Sequence, residues 1–165
     1  MSVEQPAYCS VCAAPLAQRA DGHLYCESCE RVTYLDPKLA VAAIVPMKSG
    51  IVLVRRGIEP AYGRWSFPSG YVNRGEQVER ALEREVEEET GLQVESSWLI
   101  GLYSYPGGRV VLGVYQADVA GGRLEAGDET LAASCFALDA LPELAFHHDQ
   151  RIIADWLEGR RLRGL

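Results

Sequence analysis

The chain has 165 residues, enough for one ordinary domain or one domain with a small appendage. With 48% hydrophobic and 24% charged residues it has the composition of a globular chain, which excludes wholesale disorder. A net charge of −7 argues against bulk attraction to nucleic acid or to an anionic membrane.

The opening MSVEQPAYCS has no basic stretch followed by an apolar core, so no secretory signal is expected. Residues 8–35 are poor in aliphatics and rich in Cys, Gly and polar residues. They cannot build much core alone. The character changes at Leu39. The run Leu39 to Met47 predicts a buried strand, too short to span a bilayer. Residues 51–56 predict a second strand after a Lys48-Ser49-Gly50 turn. Residues 60–70 read as a loop, and residues 77–90 as a helix. Residues 98–105 and 109–119 predict strands joined by Pro106-Gly107-Gly108, and Gly121-Gly122 marks a turn. A short strand over 133–138 precedes Pro142. Ile152, Ile153, Trp156 and Leu157 stand at helical spacing and predict a helix over 149–159. Strands interleaved with two helices point to a mixed sheet packed against helices.

Two CxxC knuckles, Cys9/Cys12 and Cys26/Cys29, are separated by 13 residues. Each brings two thiolates close, and together they complete a tetrahedral Zn²⁺ shell. In a segment with so little core, the metal would supply much of the folding free energy. A disulfide pair is the rival reading, but the large aliphatic core that follows favours zinc, and with it a reducing, cytoplasmic compartment. Few basic residues flank the ribbon, so a structural or dimer-forming role is expected rather than nucleic-acid binding. Cys135 reads as a plain buried residue.

The acid surplus is concentrated. Residues 76–89 carry seven acidic and two basic side chains. On a helical wheel Glu85, Glu88 and Glu89 fall on the side of Val78, Leu82 and Val86, while Glu83, Glu87, Arg80 and Arg84 fall opposite as solvent cover. Unpaired carboxylates beside an apolar stripe are costly to desolvate. A hard divalent cation, Mg²⁺ or Mn²⁺, removes that cost.

The spacing is specific. Gly70 is followed by five residues, Glu76, seven residues, Arg84-Glu85-Val86, one residue, Glu88-Glu89, one residue and Gly91-Leu92. This pattern resembles the signature of the Nudix hydrolases at every defined position, with a chance expectation on the order of one in ten million. The resemblance runs from about Leu39 to the end. It implies an α+β fold, an α/β/α sandwich with a mixed sheet between helices, preceded by a zinc ribbon over residues 1–36 and spanning residues 37–165. It implies hydrolysis of a nucleoside diphosphate derivative with Mg²⁺ or Mn²⁺. Carried onto matching positions, it makes Glu85, Glu88 and Glu89 metal ligands, Glu88 alternatively a base. The Gly70 carbonyl becomes a further ligand. Arg84 orients the acids, and Glu76 binds metal through water or braces the helix start. The segment Gly127-Asp128-Glu129 resembles the family's acidic loop, which nominates Glu129 as general base. Pro68-Ser69-Gly70 departs from the common Pro-Gly-Gly opening at a position that varies among relatives.

A four-Cys ribbon before such a domain is similar to two groups. The NADH pyrophosphatases carry a Ser-Gln-Pro-Trp segment that residues 93–116 lack. A zinc-ribbon group related to plant FAD and ADP-ribose diphosphatases shares Gly63-x-Trp65 and Phe136-Ala137-Leu138-Asp139-x-x-Pro142. ADP-ribose or FAD is therefore the expected substrate, with AMP as a product. Arg55, Arg56 and Arg64 are candidates for phosphate oxygens. Tyr62, Trp65 and Tyr103 offer faces for a base. His147 and His148 read as surface residues. The alternatives are NADH or dinucleoside polyphosphates as substrate, an RNA 5′-end hydrolase, and a non-catalytic nucleotide sensor or nucleic-acid binder. The expected partner is a small-molecule nucleotide, with no membrane, and homodimerisation rests on analogy.

Overall fold

The continuous apolar run after Lys38 is buried on both faces, and the rest of the fold is arranged around it. In the computed structural model, which describes residues 6–48 and 50–165, the chain divides into two units, up to Asp36 and from Pro37 onward. Ser49 of the expected turn, and residues 1–5 of the opening read for a signal, lie outside the described residues. No helix among the described residues is long and apolar enough to cross a membrane.

The first unit holds a small antiparallel sheet, β1 (Ala17–Gln18), β2 (Leu24–Cys26) and β3 (Arg31–Thr33). Its buried apolar residues among those described are Cys9, Leu24 and Cys26 alone.

The second unit begins with β4 (Lys38–Ile44), β5 (Pro46–Met47) and β6 (Gly50–Arg56). The expected single strand 39–47 breaks at Val45, where the chain passes from one sheet to another. After β7 (Trp65–Ser66) and β8 (Ser69–Tyr71) come α1 (Val78–Thr90), β9 (Leu92–Tyr103), β10 (Val110–Gly122), β11 (Thr130–Ala137) and α2 (Asp149–Arg163). One sheet has the order β8-β4-β10-β9, with β4 and β10 parallel and the other pairs antiparallel. The second has the order β11-β6-β5, with β7 also paired to β6. This is the expected mixed α+β architecture.

Successive residues of a strand face opposite ways, and β4 uses both faces. Val41, Ala43 and Val45 pack with Ala81, Leu82 and Val86 of α1. Ala42 and Ile44 pack with Ile152, Ile153 and Trp156 of α2. That is why the run is apolar without alternation. The end of α1 is fixed by Thr90, whose Oγ1–H donates to the Val86 carbonyl at 2.6 Å and accepts the Leu92 N–H at 3.2 Å. Gly91 then takes a left-handed φ of 67°, a conformation glycine adopts at no steric cost.

Candidate active site

Helix α1 and the strands beside it bring most of the box together. Glu85 and Glu89 lie one turn apart, and both line a cavity of about 540 Å³ that Gly70 of β8 also lines. A Cβ on Gly70 would collide with the Glu85 carboxylate, so only glycine lets the strand approach that acid. The Ser69 N–H donates to Glu89 Oε2 at 2.9 Å.

Arg84 departs from the wheel reading. Its side chain is about 29% exposed and knits the acids. Nε and Nη2 donate to the two oxygens of Glu76 at 2.9 and 3.1 Å, and Nη1 donates to Glu85 at 2.7 Å and Glu88 at 3.1 Å. Nη2 also reaches the Tyr71 carbonyl at 3.2 Å. The Glu76 carboxyl, held by Arg84 and by the Asn73 N–H, is lowered to about 2. It ties the Asn73 turn to Arg84 and does not line the cavity. Glu88 also departs from the wheel reading. Its side chain is 59% exposed, outside the lining, because the helix turns it away from the core stripe toward solvent.

Burial raises the carboxyl of Glu85 and pushes that of Glu89 up to about 7, the latter against the Ser69 N–H. Two half-buried acids whose charged forms are disfavoured suit a cation. The donor set is all oxygen, which fits Mg²⁺ or Mn²⁺.

The loop acid is clamped to the same helix. The Gly127 N–H and Thr130 Oγ1–H both donate to the Glu89 carbonyl, at 3.1 and 3.2 Å. Glu129 is exposed and lines the cavity.

The substrate candidates divide. Tyr103 lines the cavity, but its hydroxyl donates to Asp155 at 2.9 Å. Arg55, Arg64, Trp65 and Tyr62 do not line it. Arg55 donates Nε–H to the Gly63 carbonyl at 2.8 Å, and Arg64 pairs with Glu143 at 2.8 Å. Trp65 meets Phe136 edge-on at 4.7 Å, and Tyr62 is 58% exposed. The alternation of β6 explains the arginines, since Arg56 lines the cavity where Arg55 faces away. Arg56 is oriented by its Nε–H, which donates to the Pro60 carbonyl at 2.8 Å, and its Cζ stands 5.3 Å from the Phe146 ring.

His148 is likewise not a surface residue, its side chain being 17% exposed and part of the lining, while His147 is exposed. Phe146, Tyr105 and the buried Asp149 complete that end of the cavity. Only the spacing of Asp149 before Ile152 and Ile153 marked this segment, as a helix start.

In the first unit the four thiols of Cys9, Cys12, Cys26 and Cys29 lie within 4.8 Å of one another. Sγ–Sγ distances of 3.6 Å (Cys9–Cys29) and 3.4 Å (Cys12–Cys26) are close to those of a tetrahedral thiolate shell, and no cysteine is in a disulfide. The residue after each knuckle, Ala13 and Glu30, has a left-handed φ, of 57° and 55°. N–H groups of Cys12 and Val11 lower the Cys9 thiol, while the crowding thiol of Cys26, and then burial, raise that of Cys29, so the four thiols share their protons as one group. Among the described residues this is the one close cluster of His, Cys, Asp or Glu ligand atoms; of the box acids, Glu76, Glu85 and Glu88 pair with Arg84 and Glu89 accepts from Ser69. Cys135 is half-buried and donates to the Met47 carbonyl at 3.0 Å.

The family profile of the NUDIX domain matches residues 36–157. The chain belongs to the Nudix family. Among similar proteins is an ADP-ribose pyrophosphatase of Methanocaldococcus jannaschii, 42% identical over 128 residues that cover 75% of each chain. A NAD-capped RNA hydrolase NudC of Pseudomonas fluorescens is 31% identical over 94% of this chain and 57% of its own length, so this chain spans little more than half of that relative. A crystal structure of a NUDIX hydrolase from Nitrosomonas europaea superposes with a TM-score of 0.86 at 26% identity, covering 94% of this chain and 93% of that one. The protein is thus a Nudix hydrolase, and Glu85, Glu88 and Glu89 stand on its Nudix helix.

Proposed function

We propose that this Nudix hydrolase cleaves the diphosphate of an adenosine-diphosphate derivative, ADP-ribose or FAD, and releases AMP. The observation that carries this reading is one cavity lined by two half-buried acids, by Arg56 and by the aromatic residues Phe146 and Tyr105. The 42% identical relative is itself named for ADP-ribose.

Glu85, Glu89 and the Gly70 carbonyl would hold Mg²⁺ or Mn²⁺, with Glu88 reaching in from the solvent side. A divalent ion bound there supplies a water of lowered pKa and neutralises phosphate charge. Arg84 keeps Glu85 oriented and, with Glu76, ties the Asn73 turn to α1. Glu129 accepts the proton of the attacking water. Arg56 binds diphosphate oxygens. In the first unit Cys9, Cys12, Cys26 and Cys29 would hold Zn²⁺ in a structural role.

NADH forms a second reading, favoured by the NudC relatives and opposed by the missing Ser-Gln-Pro-Trp segment. ADP-ribose, FAD and NADH share an adenosine-diphosphate half, so a panel separates them. Turnover is measured on these three, a diadenosine polyphosphate and nucleoside triphosphates with Mg²⁺. The expected result is highest kcat/KM on ADP-ribose or FAD. Turnover of none of them sinks the reading, and a preference for NADH replaces it with the second.

The neighbouring arginines provide an internal control. Arg56→Ala should lower kcat/KM by about 10- to 100-fold through the loss of a charge-assisted phosphate contact. Arg55→Ala should stay within about twofold of the parent. Equal losses would contradict the assignment of Arg56.

A further inference from the structure

Among the described residues three buried side-chain polar atoms have no hydrogen-bond partner: Ser66 Oγ, Trp98 Nε1 and His148 Nδ1. Ser66 and His148 both line the cavity. Native proteins rarely leave such atoms unpaired, and each exception calls for an explanation. The segment before His148 runs beside the strand that carries Ser66. Leu144 bridges Trp65 in parallel, and the Ala145 N–H donates to the Trp65 carbonyl at 2.6 Å. The segment to His148 therefore starts alongside β7, which carries Ser66.

The surroundings are flat and apolar. Phe146 stacks on the His148 ring at 5.3 Å and 8°, and Tyr105 lies 5.2 Å from the same ring. Burial, and then the neighbouring His147, lower the His148 pKa, so its neutral ring offers one donor and one acceptor. Asp149, itself 2% exposed, faces the other nitrogen, its Oδ1 3.7 Å from His148 Nε2, longer than a hydrogen bond. Arg56 lies over Phe146, and its charge acts on both Glu89 and Asp149, so the cation lines the cavity beside acids and an aromatic ring alike. A diphosphate held by Arg56 would direct one substituent to that ring.

We propose that Ser66 and His148, backed by Phe146 and Tyr105, form the subsite that reads the nucleobase of the substrate. His148 meets the hydrogen-bonding edge of the base, and the aromatic rings cover its flat surface. A planar ring with both donors and acceptors satisfies the two unpaired atoms and the apolar wall together, which a bare sugar does not. This assignment rests on the reading that the cavity takes a nucleoside diphosphate.

The test is equilibrium binding, by titration calorimetry on the full chain with Mg²⁺, of AMP and of ribose 5-phosphate, which lacks the base. The parent should bind AMP at least about tenfold more tightly. Ser66→Ala removes only an unpaired hydroxyl. His148→Phe keeps a flat ring at a helix start where the histidine makes no capping bond. Each variant should reduce the AMP advantage about three- to tenfold and leave ribose 5-phosphate binding unchanged. Equal parent affinities for the two ligands, no AMP binding, an unaltered AMP advantage in both variants, or equal weakening of both ligands would each overturn the subsite. Because no turnover is read, a failed substrate panel would sink the reaction and leave this test standing.

Discussion

Glu89→Gln should lower kcat on a diphosphate substrate on the order of 10³-fold and leave the fold intact. The amide keeps the shape and still accepts the Ser69 N–H, but it loses the charge that would hold a cation. Stability should move the other way. Burial pushes the Glu89 carboxyl up to about 7 from an ordinary 4.5, so the folded chain holds this proton more tightly than the unfolded chain does. Stability of the ion-free protein therefore falls as pH rises from about 4.5 to about 7, and the full cost is present above that window. Glu89→Gln carries no such cost. In chelator at pH 8 its Tm should match or exceed that of the parent, and the difference should vanish below about pH 4.5. Thermal melts across pH, paired with kcat, check both halves. A variant that is inactive because it is unfolded would contradict the account.

Cys26→Ser should unfold the unit up to Asp36. Its buried apolar residues among those described are two cysteines and one leucine, too little to offset chain entropy. Structural zinc in such small units supplies about 10–16 kcal/mol of binding free energy, which is also folding free energy. One zinc per chain should fall to none, and amide protection in β1–β3 should disappear. The core clusters of the second unit contain none of these cysteines, so its own melting transition should remain. Retained protection without zinc would show that the unit folds on other interactions.

The parts of the molecule legible in the sequence are those where chemistry is dense. The run after Lys38 announces a buried strand, though not its break at Val45, and the Nudix box announces its helix and its acids. The first half of β9 was missed because Gln93 to Ser97 looks polar, yet Leu92 and Val94 point inward while Gln93 and Glu95 are exposed. Gly121-Gly122 looked like a turn but ends β10 at an irregularity in its pairing with β9. The last helix was cut at Gly159. It continues to Arg163, because that glycine serves close packing, where a Cβ would strike Trp98. At the site the limit was direction. Which of Arg55 and Arg56 enters the cavity depends on the facing of one strand, and which of His147 and His148 is buried depends on how the last loop folds onto β7. Arg84 looked solvent-facing on a wheel, but its long side chain bends back to three acids.

Water attack on the diphosphate is tested directly with oxygen-18. ADP-ribose is incubated with the protein and Mg²⁺ in H₂¹⁸O, and the products are resolved by mass spectrometry. The expected products are AMP and ribose 5-phosphate in equal amounts, with one labelled oxygen per turnover in a single phosphate product, and almost no product from Glu89→Gln. Cleavage without label, or undiminished cleavage by Glu89→Gln, would contradict the proposed reaction.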